Sequence, residues 1–180
     1  MKTIVKIQYL FSRRPLAGSK LISWGTNHQY PDLSFEEVPS HVAVLINGKW
    51  VIESTLATGV RVIGYNKWKE INIEVAKIDC VRKDWSFSVI KGMFKEIKGR
   101  KYDWGGIIYL AFRLAKQKYL GKPLPSVNKF NDPNKYFCTE VLSKMTGLTY
   151  EMSTPVDVMM KVQCLSEAQN TPSKLAQSKA

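Results

Sequence analysis

Apolar and polar positions alternate through the first half of the chain and recur at helical spacing through the second. Ile4, Val5, Ile7 and the run Tyr9, Leu10, Phe11 predict a first strand over residues 3–11. Charge, Pro15 and Gly18 break it, and residues 20–24 fit either a short helix or a strand. Residues 26–39 carry Pro31, Asp32 and Pro39 and read as irregular; a loop of that length often borders a site. The stretch His41-Val42-Ala43-Val44-Leu45-Ile46 predicts a strand, and residues 49–54 predict its partner. Between them stands Asn47-Gly48, the strongest short-range hairpin signal. Both strands are apolar on both faces, which predicts a central place covered on both sides. Residues 59–63 extend the meander, and residues 71–81 read as a further strand that makes Cys80 a core position.

Helical spacing takes over at residue 86. Val89, Ile90, Met93, Phe94 and Ile97 share one face of a helix that Gly99 ends. Asp103 is a candidate cap for a second helix, whose stripe is Trp104, Ile107, Ile108, Ala111, Leu114 and Ala115. Gly121-Lys122-Pro123-Leu124-Pro125 stops it, and a polar loop over 128–133 follows. Residues 132–147 then read as a complete short helix, with Asp132 as N-cap, Pro133 at the first position and Gly147 as the stop. Thr154-Pro155 opens a last helix that runs to about Cys164. Residues 166–180 are small and polar, as a tail without fixed structure would be. Without an internal repeat or linker, residues 1–165 form one domain.

The chain has 180 residues, enough for a real core. No run of about 18 apolar residues predicts a membrane span. The amino-terminal stretch has neither an apolar signal core nor a small-residue cleavage site. Three cysteines without framework spacing fit a reduced, cytoplasmic protein. Lys and Arg outnumber Asp and Glu by 27 to 15, for a formal charge of +12. That invites anionic partners. The densest group (Lys91, Lys95, Lys98, Arg100, Lys101) lacks zinc-finger or RNA-binding accompaniment and reads as a solvated face, so no nucleic-acid partner is expected.

One thiol stands apart. Cys138 falls near the start of its helix, where the positive end of the dipole favours thiolate over thiol. The competing reading places it in the apolar stripe as a core residue. A thiol nucleophile needs a base, and the base needs an orienting group. His28 lies in an irregular loop and is not assigned a role. His41 opens a buried strand. Glu53 interrupts the apolar run Trp50-Val51-Ile52 on the partner strand, and carboxylates are rarely buried without a partner.

In chain order, Ser40-His41-Val42-Ala43-Val44, Val51-Ile52-Glu53-Ser54 with Gly59-Val60, Tyr102-Asp103-Trp104, Tyr136-Phe137-Cys138-Thr139-Glu140-Val141 and Thr154-Pro155-Val156-Asp157 resemble the circularly permuted papain-like (NlpC-type) cysteine hydrolases, the YiiX-like group. The resemblance covers most of residues 1–160. It implies an α+β fold with an antiparallel sheet against the Cys helix. It implies Cys138 as nucleophile, His41 as base and Glu53 as the third group, with no cofactor and no metal. The implied activity is that of a cysteine amidase or peptidase, on peptide or amide substrates that include cell-wall peptides. Activities of the wider superfamily also include acyl transfer on lipids. A non-catalytic binding module on the same scaffold and a lipid-directed acyltransferase are the alternatives, and a monomer is expected. Secreted members carry an export signal that this sequence does not show, so a cell-wall substrate calls for another route, such as a phage particle or a lysed host cell.

The hairpin decides whether such a site can form. A two-residue Asn47-Gly48 turn would pair Ile46 with Lys49 and set Glu53 on the face opposite His41. A three-residue loop of Ile46, Asn47 and Gly48 would pair Leu45 with Lys49 and His41 with Glu53. The chemistry needs the second, so a bulged hairpin is expected, with His41 and Glu53 facing the start of the Cys138 helix.

Overall fold

In a computed structural model of the chain, a five-stranded antiparallel sheet carries the elements that bear on the site. Its strands are β1 (Ile7–Arg13), β2 (His41–Ile46), β3 (Trp50–Thr55), β4 (Gly59–Gly64) and β5 (Ile73–Asp79), in the order β4-β3-β2-β1-β5. The helices are α1 (Tyr65–Ile71), α2 (Phe87–Ile97), α3 (Trp104–Leu120), α4 (Cys138–Thr146) and α5 (Pro155–Asn170). The fold class is α+β. The structure describes residues 5–14, 19–20, 22–23, 26, 29–34, 36–80, 86–121, 132, 134–147 and 153–170, the last five as backbone alone. His28, the start of the first predicted strand, the stop after Gly121, most of the loop before Asp132, and residues 171–180 lie outside them.

The hairpin has a three-residue loop, but not the expected one. Asn47 and Gly48 both take left-handed backbone, with φ of 51° and 66°, and Lys49 N–H donates to the Ile46 carbonyl at 3.0 Å. The turn therefore centres on Asn47 and Gly48, and the extra residue is Lys49 instead of Ile46. Asn47 is held there from both sides: its N–H donates to the Lys6 carbonyl at 2.8 Å, and its Oδ1 accepts from Lys6 N–H at 2.9 Å. The register is Ile46↔Trp50, Leu45↔Val51 and Val44↔Ile52. It differs by two residues from the expected pairing of Leu45 with Lys49, so each side chain keeps the face that pairing would have given it.

Alternation divides the sheet's burial into two layers. Tyr9, Phe11, Val42, Val44 and Ile52 pack with Val141, Leu142 and Met145 of α4, Ile90 and Ile97 of α2, and Val158 of α5. On the other face Leu10, Ala43, Leu45 and Val51 pack against Trp68 of α1. All six β2 residues are buried, as a strand covered on both faces requires. Each fully buried Val, Leu, Ile or Phe side chain contributes roughly 1.5–3 kcal/mol. Helix α1, with one buried residue, Trp68, was not anticipated from the sequence.

Four helices differ from their sequence reading. Asp132 does not cap α4. Its carboxylate accepts from Asn134 N–H at 3.0 Å and its carbonyl from Lys135 N–H at 2.9 Å, closing a turn. Tyr136 N–H then donates to the Lys101 carbonyl at 3.1 Å, so the chain runs extended to Phe137, the N-cap. In α3 the buried residues are Gly106, Tyr109 and Leu110, whereas Trp104 and Ile108 of the expected stripe are 54% and 53% exposed. The helix is apolar around most of its circumference, and the core took the face where Gly106 lets Phe137 and Asp103 approach closely. In α2, Ile90 and Ile97 are buried as expected while Val89 is exposed. Helix α5 continues past Cys164 to Asn170.

Candidate active site

Glu53 sits within the sheet at 0% exposure, where an ionised carboxylate is tolerated only with partners. It has four. Its Oε2 accepts from His41 Nε2 at 2.8 Å, from Arg14 Nη2 at 3.0 Å and from Trp68 Nε1 at 3.1 Å. Its Oε1 accepts from Arg61 Nη2 at 2.6 Å and Arg61 Nε at 2.9 Å. Arg14 is itself fixed, since its Nε donates to Asn72 Oδ1 at 2.7 Å and Asn72 Nδ2 donates to the Trp68 carbonyl at 2.8 Å. Burial opposes the charge on Glu53. Hydrogen bonding and charge from His41, then Arg14 and Arg61, overcome it and hold the carboxyl pKa down at about 2.

His41, the first residue of β2, is also buried. Burial again disfavours the charged ring. Hydrogen bonding to Cys138 and to Glu53, and then the charges of both, outweigh it and raise the His41 pKa to about 9. The ring is therefore cationic at neutral pH. Its Nε2 is committed to Glu53, which leaves Nδ1 for the sulfur. Glu53 reaches Cys138 only through this ring. It does not face the start of α4 as expected, but lies on the sheet face covered by Trp68 of α1, while Cys138 belongs to the core on the other face. His41, at the end of its strand, joins the two layers.

The turn at Asp132 and the extended link to Phe137 make Cys138 the first residue of α4. Its N–H is one of the four at a helix start that lack an intrahelical acceptor. The Phe137 N–H is satisfied by Glu140 Oε2 at 3.0 Å. Ser54 Oγ donates to the Tyr136 carbonyl at 2.5 Å and ties this entry to β3. The site thus has a thiol at a helix N-terminus, a histidine that interacts with it, and a carboxylate hydrogen-bonded to the histidine.

A cleft of about 320 Å³ opens beside His41. It is lined by Arg14, Ser40, His41, Thr55 and Tyr102, by Leu56, and by Ile107, Ala111, Leu114, Ala115 and Lys118 of α3. Cys138 does not line it and is 4% exposed. The lining groups that interact with the thiol are His41 and Tyr102, whose hydroxyl pKa is pushed upward by burial and then by Cys138, Asp103 and Glu140. Tyr102 is thus a wall of the cleft as well as a largely buried aromatic.

The structure brings together Cys138, His41 and Glu53. The other cysteines stand apart: Cys80 Sγ lies 3.0 Å from the Tyr9 hydroxyl, and Cys164 is exposed on α5. Among the described residues no cluster of His, Cys, Asp and Glu is placed to hold a metal ion, and no helix is long and apolar enough to cross a membrane. Sequence reasoning missed Arg14, Arg61, Trp68 and Asn72. The buried Glu53 signalled that cations had to be near, and Arg61 directly follows the Gly59-Val60 already singled out. No family model matches the chain, and no curated protein matches it significantly.

Proposed function

We propose that the protein is a cysteine-dependent hydrolase, an amidase or peptidase that cleaves an amide bond through a thioester acyl-enzyme. The observation that carries this reading is the position of His41: one ring nitrogen is held by the buried Glu53 and the ring acts on Cys138 at the start of α4. His41 already holds the proton as an imidazolium paired with the Cys138 sulfur, and the sulfur attacks the carbonyl carbon. The Cys138 N–H, at the first position of α4, is the donor for the resulting oxyanion. As the C–N bond breaks, the imidazolium returns its proton to the leaving amine. Water then attacks the thioester, gives its proton to His41, and releases the acid and the free thiol. Glu53 keeps the ring oriented and its charge balanced throughout.

A permuted papain-like architecture accompanies this reading. It is supported by the order of a His-bearing strand before the Cys-bearing helix, and by the packing of that helix against β2 and β3. Substrates are peptides or other amides, cell-wall peptides being one such class. Acid-quenched mass spectrometry during turnover of a chromogenic amide or ester tests the reaction. An acyl adduct mapped to Cys138, absent in Cys138→Ala, is expected. Turnover that survives Cys138→Ala would overturn it, and a thiol that neither reacts nor acylates would favour the non-catalytic binding module.

A further inference from the structure

The cluster around Glu53 uses only part of Arg14. The Arg14 Nε donates to Asn72 Oδ1 at 2.7 Å, and its Nη2 donates to Glu53 Oε1 and Oε2 at 3.1 and 3.0 Å. The Nη1 amino group has no partner among the described residues, and Arg14 lines the cleft. Arg14 Nη2 and His41 Nε2 share one acceptor, Glu53 Oε2. The guanidinium is therefore a close neighbour of the ring that interacts with Cys138. Ser40 directly precedes His41 and lines the same cleft. Its N–H is fixed to the Ser12 carbonyl at 3.0 Å, while its Oγ is buried without a hydrogen-bond partner. A buried hydroxyl left in that state is costly until a ligand or water completes it. Ser54 and Thr55 also line the cleft, but their hydroxyls are engaged, by the Tyr136 carbonyl and by Thr58.

The charge on the cleft has one sign. Among the described residues that line it, Arg14, Lys118 and the cationic His41 carry charge, and none is Asp or Glu. Asp103 and Glu140 act on Tyr102 without lining the cleft themselves. Cations in a cleft with apolar walls focus their field on whatever enters, and they favour an anion. We propose that the substrate carries a carboxylate close to the scissile carbonyl, held by Arg14 Nη1 and Ser40 Oγ. This rests on the thiol-nucleophile reading above. A guanidinium nitrogen and a hydroxyl together suit the two oxygens of a carboxylate. A carboxamide of the same shape has a single acceptor oxygen, and its NH2 meets the Arg14 N–H groups donor to donor. The carboxylate takes no part in the bonds made and broken. Arg14 thus holds Glu53, and through it His41, with one part of its guanidinium and the substrate with the other.

Two measurements separate this proposal from the reading it rests on. The first is kcat/KM for amide pairs that differ only by carboxylate against carboxamide. One pair places the group on the acyl side (N-acetylglutamate and N-acetylglutamine α-p-nitroanilides), the other on the leaving side (hippurylglycine and hippurylglycinamide). At least one pair should favour the carboxylate by about tenfold or more, as a charge-assisted hydrogen bond does. Ser40→Ala should lower that ratio by about threefold or more, and Arg14→Gln should bring it close to one. Ser40→Ala removes only an unpartnered hydroxyl and should melt as the wild type does, so its altered ratio would not be a loss of fold. The second is ligand-observed NMR of Cys138→Ala with hippurate and with hippuramide. Hippurate should bind about tenfold tighter, and adding Arg14→Gln should remove the difference. Equal turnover within both pairs and equal binding of the two ligands, while iodoacetamide still labels Cys138, would overturn the carboxylate site and leave the nucleophile in place. Tighter hippurate binding with no turnover of any amide and no labelling of Cys138 would overturn the catalytic reading and the substrate assignment with it.

Discussion

His41 Nε2 and Glu53 Oε2 meet at 2.8 Å although the two residues are not opposite each other in the sheet. The β2–β3 ladder ends at Val44↔Ile52, and continuing its register would set Glu53 opposite Ala43. The contact is a diagonal one, reaching two residues along the neighbouring strand. Cβ atoms in that relation are roughly 7–8 Å apart, a gap that a glutamate spans and an aspartate would not. Glu53→Asp should therefore keep the charge but lose the hold on His41. Turnover should fall by more than tenfold while Arg14 and Arg61 still find a carboxylate. Full activity in Glu53→Asp would show that the ring needs no orienting group.

Removing the carboxylate is a separate matter. Glu53→Ala leaves Arg14, Arg61, the Trp68 N–H and His41 facing a hole with no acceptor. Breaking a buried pair in this way costs about 3–5 kcal/mol. Urea denaturation should show that loss with little change in slope. A cost within the range of an ordinary surface substitution would mean that Arg14 and Arg61 turn outward to water.

The sequence made Glu53 conspicuous because a carboxylate breaks an otherwise apolar strand, but it did not identify the partners. Arg14 comes 39 positions earlier, beside Pro15, where the pattern gives only a break. The hairpin was legible from Asn47-Gly48, yet its register depended on whether Asn47 would accept positive φ, which hydrogen bonds to Lys6 decide. Helix α1 was invisible because seven residues with one buried position carry no measurable period. Around α3 the apolar residues outnumber the positions the core needs, so the pattern could not say which face the core would take. It was the surplus that marked the cleft.

The shifts of His41 and Glu53 set the pH range in which their pair is stabilising. His41 is raised from 6.5 to about 9, so its contribution is complete below 6.5 and is lost as pH rises through about 9. Glu53 is lowered from 4.5 to about 2, so its contribution is complete above 4.5 and is lost as pH falls through about 2. The stability difference between wild type and Glu53→Gln should be greatest between about pH 4.5 and 6.5 and should shrink on either side. Denaturation series across pH measure it, and imidazole NMR should place the His41 midpoint near 9. A midpoint at or below 6.5 would remove the cationic ring from the resting state.

Gly59 supports the site from outside it. It opens β4 at φ 63°, and an added Cβ would collide with the Arg100 carbonyl oxygen, which also accepts from Val60 N–H at 2.9 Å. Gly59→Ala meets a backbone penalty of roughly 1–2 kcal/mol and forces the Arg100 segment away. That segment leads directly to Tyr102 and to the Lys101 carbonyl that holds Tyr136. Thermal unfolding should drop by several degrees, and labelling of Cys138 should slow as α4 loses its entry. An alanine variant with wild-type melting would show that β4 and residues 99–101 shift together at no cost.

Thiol reactivity sets two influences against each other. Exposure favours Cys164 on α5, since Cys138 is 4% exposed. Charge favours Cys138, because His41 is the sole histidine among the described residues and it acts on that sulfur alone of the three. Alkylation proceeds through the thiolate, and a neighbouring cation sustains the thiolate as pH falls. Iodoacetamide labelling with mass mapping should therefore show the ratio of Cys138 to Cys164 rising between about pH 8 and pH 6. His41→Asn should remove that rise while leaving the Cys164 rate as it was. Cys138→Ala should unfold with a cost of only ~1 kcal/mol, as a small buried thiol would, so its loss of turnover would not be a loss of fold. If Cys164 or Cys80 labels faster at the lower pH, His41 does not activate Cys138, and the buried thiol is a core residue that happens to begin a helix.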